Sequence, residues 1–416
     1  MILRQTAALF LDAYRELSAR KLFWLVLILS GLVVAVFGAV GLNDKGIQFG
    51  PRQWTVPSDV VNTNFIAPQL FYKFVFASIG VPIWLGWIAS ILAVVSTASI
   101  FPDFVAGGSI ELLLSKPIGR VRLFFTKFAT GLLFVVLQVS VFALACFLVI
   151  GIRGGSWVPS LFWSVPLIAA MFSYLFCVCA VLGLLTRSTI ASMMLTLLFW
   201  FVIFGIHAAE TGVLNFRISK GMEVELASAE VESAKARLAR EVPALETPGT
   251  GNPDAASGGE DSSKAAPDAG DERSEPAPAV DAAPKTAAQA DLERAQRKLD
   301  DVSETHQLLV AWHRGLFAVK TVLPKTAETE QLLRRKLLDD SQLALFMNDK
   351  PAPETTRSGQ KLSAAQRARI DREREAAKRL QATMDQRTTG WIVGTSLAFE
   401  AVVLLFGAWR FSRRDF

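Results

Sequence analysis

Six long apolar stretches, interrupted by one polar block, constrain this chain more than anything else in its sequence. The stretches are residues 22–41, 74–100, 123–150, 161–185, 189–209 and 391–411, and the polar block separates the fifth from the sixth. A bilayer core of about 30 Å needs about 20 helical residues at about 1.5 Å each. Soluble helices seldom stay apolar on every face for that long. The sequence therefore predicts an all-α polytopic membrane protein with six transmembrane helices. The first run is long and has no small-residue cleavage site after it, so it is expected to stay as an anchor.

Charge orients the spans. Lys and Arg beside short loops are retained on the cytoplasmic side. With the N-terminus inside, the inner flanks hold Arg4, Arg15, Arg20, Lys21, Lys116, Arg120, Arg122, Lys127, Arg187, Arg410, Arg413 and Arg414. The short outer loops hold Lys45, Arg52, Lys73 and Arg153. This imbalance predicts both termini in the cytoplasm. The polar block then lies outside. The net charge of +5 gathers beside the spans, which is no sign of nucleic-acid binding. All three cysteines, Cys146, Cys177 and Cys179, fall inside spans and define no disulfide framework.

The predicted organisation has four parts. Residues 1–21 have apolar side chains at helical spacing among charges, which suits an amphipathic helix in the inner interface; a plain extension of the first span is the other reading. Residues 22–212 hold spans one to five. Residues 213–388 form a large extracytoplasmic helical insert. Residues 389–416 hold the sixth span and a cytoplasmic tail.

Within the insert, residues 222–242 carry Val224, Ala227, Val231, Ala234 and Leu238 on one stripe. Residues 288–312 repeat the spacing with Leu292, Ala295, Leu299, Val302 and Leu309. A period near 3.5 marks a coiled-coil seam, and an antiparallel hairpin is the simplest arrangement. His306 falls on the seam, either as a register or pH-sensitive point or as a tolerated imperfection. Residues 247–286 are rich in Pro, Gly, Ala, Ser and acidic residues, too poor in apolar side chains to offset their ordering entropy, and predict a disordered tip. Residues 314–347 predict amphipathic helices broken at Pro324. Ser363 and Gln366 predict a capping box for a basic helix over residues 363–386.

Soluble catalysis finds no foothold. His207, His306 and His313 form no zinc motif, no Gly-x-Ser-x-Gly elbow occurs, and the dipeptide Gly-Lys is absent, which excludes a Walker A loop. The chain predicts no enzyme, no metal and no cofactor of its own. If ATP drives it, another chain binds the ATP.

The most specific segment is the loop between spans two and three, FPDFVAGGSIELLLSKPIGRVRLFFTK. Gly107 and Gly108 end the second span. Ser109 is a good N-cap and Glu111 complements the helix dipole. Ile110, Leu112, Leu113 and Leu114 give an apolar surface, Lys116 lies near the helix end, and Pro117 and Gly119 stop it. Such a short, capped helix either lies on lipid as an ordinary turn or docks a partner.

With these residues the chain resembles the membrane subunits of ABC-2 type ABC transporters. That family's inner loop runs from acidic residues to Gly-Thr, then Leu-Leu-Ser-x-Pro-x-x-Arg, then Lys. Here stand Gly108-Ser109, Leu113-Leu114-Ser115-Lys116-Pro117-Ile118-Gly119-Arg120 and Lys127. The interfacial first helix, the six spans and the Arg413-Arg414-Asp415-Phe416 ending are similar too. The resemblance covers residues 1–215 and 388–416. The acidic residues are reduced to Asp103, and the outer insert is longer than in compact exporters, closer to the permeases of the multicopper-enzyme-maturation type. The resemblance implies a permease subunit that pairs with a second copy, as homodimer or heterodimer. It also implies a separate ABC ATPase docked on residues 109–116, with Gly108, Pro117 and Arg120 flanking the coupling helix. An extracytoplasmic partner of the hairpin is the further expectation, together with an alternative function in which the ATPase cycle moves the hairpin and no substrate crosses.

One charge sits inside the membrane. Glu400 is near the middle of the sixth span, where a lone charge costs at least about 2.5 kcal/mol. Ser396 and Gly407 share its face. Gln138, at similar depth in the third span, is the expected partner. Glu400 either pins the bundle by one hydrogen bond or takes part in function.

Overall fold

The computed structural model describes residues 21–50, 54–57, 62–64, 66–106, 119–245, 287–338 and 363–413. The interfacial helix over 1–20, the loop residues Gly108, Ser109, Ile110, Glu111, Leu112, Leu113, Lys116 and Pro117, the 247–286 tip and the last three residues of the tail lie outside them.

Among the described residues, six helical stretches are long and apolar enough to cross a membrane. The first is α1, Lys21–Ala39. The second is composite: α2 (Pro68–Val75), a π-helical stretch Phe76–Ala89 containing Pro82, α3 (Ser90–Thr97) and α4 (Ile100–Ala106). Pro82 cannot donate a backbone hydrogen bond, which suits the departure from α geometry. The third is α5, Arg120–Gly154, closed by Gly155 in the left-handed conformation (φ 69°). The fourth is a 3-10 turn, Pro159–Trp163, leading into α6, Ser164–Thr186. The fifth begins α7, Thr189–Leu245, a single helix of 57 residues. Then come α8 (Ala287–Val322), α9 (Thr326–Leu337), α10 (Ala364–Asp385) and the sixth span, α11 (Thr389–Ser412).

The all-helical expectation has one exception. The first span stops at Ala39, and a three-stranded antiparallel sheet follows: β1 Val40–Asn43, β2 Gly46–Phe49 and β3 Trp54–Pro57, in the order β1-β2-β3. Asn43 Oδ1 accepts from the backbone N–H of Lys45 and of Gly46, both at 3.0 Å, and Gly46 turns with φ 142°. That short Asx turn sets the hairpin. The Tyr72 hydroxyl donates to the Val40 carbonyl (2.8 Å) and accepts from Arg153 Nε (3.0 Å), tying the sheet to α2 and the end of α5. We call this the sheet end of the bundle.

Chain contacts divide the molecule into two compact units, residues 1–213 with 313–416, and residues 214–312. In the first, α5 packs on α1, α6 and α11, and α6 lies at the centre. Its core is aromatic: Phe128, Phe172 and Phe176 stack, and Phe101, Phe124 and Phe411 gather at the end opposite the sheet. The second unit is an antiparallel pair of helical arms. Lys298 Nζ reaches Glu230 Oε2 at 2.7 Å, and Gly221 faces His306, so rising numbers in one arm meet falling numbers in the other. Ala227, Val231 and Ala234 are buried along the stripe the sequence marks. His306 Nε2 faces Gly221, where a Cβ would stand 3.4 Å away, an ordinary van der Waals contact.

The helices expected within 314–347 differ in extent. The second arm does not stop at 312 but runs on to Val322, and α9 follows the break at Pro324. Leu332, Leu333 and Leu337 of α9 are buried, and the helix packs on α6, α11 and the π-helical stretch. It therefore packs against the spans. The basic helix α10 opens with the capping box: Gln366 N–H donates to Ser363 Oγ (3.2 Å), and Ser363 N–H to Gln366 Oε1 (2.9 Å).

Candidate functional site

The most concentrated chemistry lies where α7, α8, α9 and the residue before α11 meet at the sheet end. Glu210 on α7 has a completely buried carboxylate. Its Oε2 accepts from Lys320 Nζ at 2.7 Å, and its Oε1 from Arg387 Nη2 and, at 3.2 Å, faces His313 Nε2. Glu328 on α9 is bound by the same two cations, Lys320 Nζ and Arg387 Nη1, the latter at 3.1 Å. The four groups close a ring of alternating charge, Glu210–Lys320–Glu328–Arg387. His207 Nδ1 stands 3.5 Å from Glu328 Oε1, beyond good hydrogen-bond range.

Two carboxylates against two strong cations make the ring neutral, which is how such charges tolerate burial. Burial works to push the Glu328 carboxyl up, but His207 and Lys320 beside it outweigh that and hold it well below the usual carboxylate range. The ring joins positions spread over 177 residues of chain. No periodicity marks such a set, and the sequence reading found none of its four members. His207 and His313, which the sequence leaves without a zinc motif, each face one of the ring's carboxylates.

Lys325 lies beside the ring and is almost fully buried. Its Nζ donates to Thr395 Oγ1 (2.7 Å) and to the Thr321 carbonyl (3.1 Å), and sits 4.4 Å from the Trp391 ring centroid. Its backbone N–H donates to Ser396 Oγ (3.0 Å). Burial brings its ammonium down to about 8, against the pull of Glu328 and with the repulsion of Lys320 and Arg387. Glu330, one turn further on, packs against the second span so closely that a Cβ on Gly86 would lie 2.7 Å from its Oε2. Burial raises its carboxyl to about 7, with Arg334 opposing.

Glu400 is buried, as are Ser396 and Gly407 on its face. Its partner differs from the expected one. Ser173 Oγ on α6 donates to Glu400 Oε2 at 2.8 Å. Gln138 instead lines a separate void with Ser30, Trp84 and Ser90, and its Nε2 has no hydrogen-bond partner. That void, about 10 Å³, is close to the smallest that holds one water. The expectation matched the two residues by depth along their helices, and depth carries no information about which way Gln138 faces.

Of the loop residues expected to couple to an ATPase, Arg120 is described. Its Nη1 donates to the Ser412 carbonyl at 3.2 Å. Phe104 and Phe124, on the two stems of the loop, both pack on Phe411, at ring-centroid distances of 5.9 and 6.2 Å.

Fold and site define a polytopic α-helical membrane protein with a buried ion ring at one end of its bundle. No family model, curated protein or solved structure matches the chain.

Proposed function

We propose that the chain is the permease subunit of an ATP-driven ABC-2 type exporter in a bacterial inner membrane. Both termini and the 107–118 loop face the cytoplasm, and the helical insert faces outward. ATP is hydrolysed on a separate subunit docked on residues 109–116, and two permease copies form the pathway.

The sequence of the loop suggests the class, and one structural observation carries the coupling. Both stems of the loop rest on the end of the sixth span, through Phe104, Phe124 and Phe411 and through Arg120 and Ser412. A displacement of the loop by a docked ATPase is therefore felt by α11. That span carries Glu400 at its middle and follows directly on Arg387 of the ring. Coupling of this kind needs two states that nucleotide favours unequally, and a helix gripped at both ends can switch between them.

The test is co-purification. Tagged chain extracted from its native membranes is expected to bring down an ATPase with Walker motifs, and a Leu112→Asp, Leu113→Asp variant to lose it. Equal recovery from both would refute docking at the loop. Protease added to intact spheroplasts is expected to cut within residues 247–286; cleavage only after lysis would refute the orientation.

The second reading, in which the ATPase moves the hairpin and no cargo crosses, draws on two observations. The void beside Gln138 holds at most a water. The fifth span and the first hairpin arm are one unbroken helix. In vesicles containing the ATPase, cysteines at Glu230 and Lys298 joined by a bis-maleimide spacer, which spans the length of the ion pair they replace, separate the readings. Arrested ATPase coupling with the arms locked favours the moving hairpin; unchanged coupling favours transport.

A further inference from the structure

A groove of about 350 Å³ opens between α9 and α10, beside the ion ring. Leu338, Ala377, Leu380 and Met384 give it an apolar floor, and Arg334 and Arg335 stand on its rim. The last turn of α9 carries Arg334, Arg335 and Lys336 in succession. Cations there complement the helix dipole, yet the three side chains are used differently. Arg335 reaches Asp385 Oδ1 (2.7 Å) and the Met384 carbonyl (2.8 Å), which fixes its guanidinium at the groove. Lys336 lies 5.9 Å from the centroid of Trp163. Arg334 is exposed.

Trp163 sets the depth. It is half-exposed and immediately precedes α6, at the end of a span, with the exposed Trp157 nearby in sequence. Exposed tryptophans at span ends mark the headgroup layer of a bilayer. A groove there meets phosphate groups and acyl chains side by side. Asp385 balances Arg335, and Arg334 adds a second guanidinium to the rim; its neighbour Glu330 is held toward its neutral form by burial, so the rim carries positive charge.

We propose that this groove binds an acidic phospholipid. Arg334 and the remaining N–H groups of Arg335 take the headgroup phosphate, for which the planar guanidinium fork is suited. The first methylenes of an acyl chain lie on Leu380 and Met384. A bound lipid bridges α9, which carries Glu328 of the ring, to α10, which leads into Arg387. The site thus steadies the ring from outside the bundle. The proposal needs a membrane-embedded chain and is independent of any ATPase.

Native mass spectrometry of the full-length, delipidated protein tests it. Phosphatidylglycerol or phosphatidylcholine is added at equal concentration. Wild type is expected to retain phosphatidylglycerol roughly fivefold better, the scale of one basic side chain acting on an acidic lipid. Arg334→Glu is expected to erase the preference. Leu380→Trp, which fills the floor without changing charge, is expected to weaken both lipids. Arg369→Glu changes net charge equally at an exposed position of α10 and is expected to leave the preference intact. Melting curves confirm that each variant is folded. A preference that survives Arg334→Glu, or falls equally with Arg369→Glu, overturns the site. Displacement of the lipid by millimolar inorganic phosphate overturns the lipid in favour of a free anion.

Discussion

Glu210 and Arg387, 177 residues apart in the chain, form an ion pair with almost no solvent access. Glu210 ends the fifth span and Arg387 precedes the sixth, so the pair fixes where the chain between these spans returns to the bundle. Buried pairs add little net stability against apolar replacements, because desolvation offsets attraction. Removing one partner is different, since the other charge is left buried alone.

Arg387→Ala is accordingly expected to destabilise the protein by about 3–5 kcal/mol in detergent unfolding. Glu210→Gln combined with Arg387→Gln is expected to cost clearly less than the sum of the two single changes. Strict additivity in that cycle would show that the ring does not act as a unit.

Glu330 gives a pH dependence. Its carboxyl is raised to about 7 from an ordinary value of 4.5, so the folded state holds a proton that the unfolded state releases first. The stability from this group is fully present below 4.5 and is lost as pH rises through 7. The change is at most roughly 3 kcal/mol by linkage. Melting temperatures measured between pH 4.5 and 8 are expected to fall across that window, and Glu330→Gln to flatten the fall. A variant that melts with the same pH profile as wild type would remove Glu330 from the account.

What could be read in the sequence follows from the range of the interactions. The spans were legible because lipid demands about 20 apolar residues in a row. The hairpin stripe was legible because Ala227, Val231 and Ala234 repeat at coiled-coil spacing, and the cap at Ser363 because its partner is three residues away. The ring was not legible: Lys320 and Glu328 look like ordinary solvated charges until the fold brings Glu210 and Arg387 to them. The sheet was missed. Asn43-Asp44-Lys45-Gly46 is a turn sequence, but the apolar run of the first span reaches to Gly41 and hid the change to strand. Glu400 stood out as a lone charge, whereas Ser173 is one small hydroxyl in an apolar helix and sends no signal.

Tyr72 tests the sheet end. Its hydroxyl serves both the Val40 carbonyl and Arg153, and the ring beneath it packs on Phe37 and Phe71. Tyr72→Phe keeps the packing and removes the two hydrogen bonds, at a cost of about 1–2 kcal/mol. An unchanged melting temperature would mean that the sheet is held by its own strands alone.

The last prediction separates the two roles open to Glu400. Ser173 Oγ lies 2.8 Å from both Glu400 Oε2 and the Ala170 carbonyl, so its one proton still has an acceptor when Glu400 is lost. If Glu400 only joins α6 to α11, Glu400→Gln still offers an acceptor oxygen and is expected to leave melting and, under the proposed function, ATPase coupling nearly unchanged. Glu400→Leu removes the acceptor and is expected to cost about 1–2 kcal/mol, the scale of an interhelical hydrogen bond in a membrane. If Glu400 exchanges a proton during the cycle or meets a cationic cargo, Gln fails as completely as Leu while the protein stays folded. A single buried hydroxyl partner and a face of small residues, Ser396 and Gly407, fit the joining role. A Glu400→Gln protein that melts like wild type but no longer couples to ATP hydrolysis would overturn it.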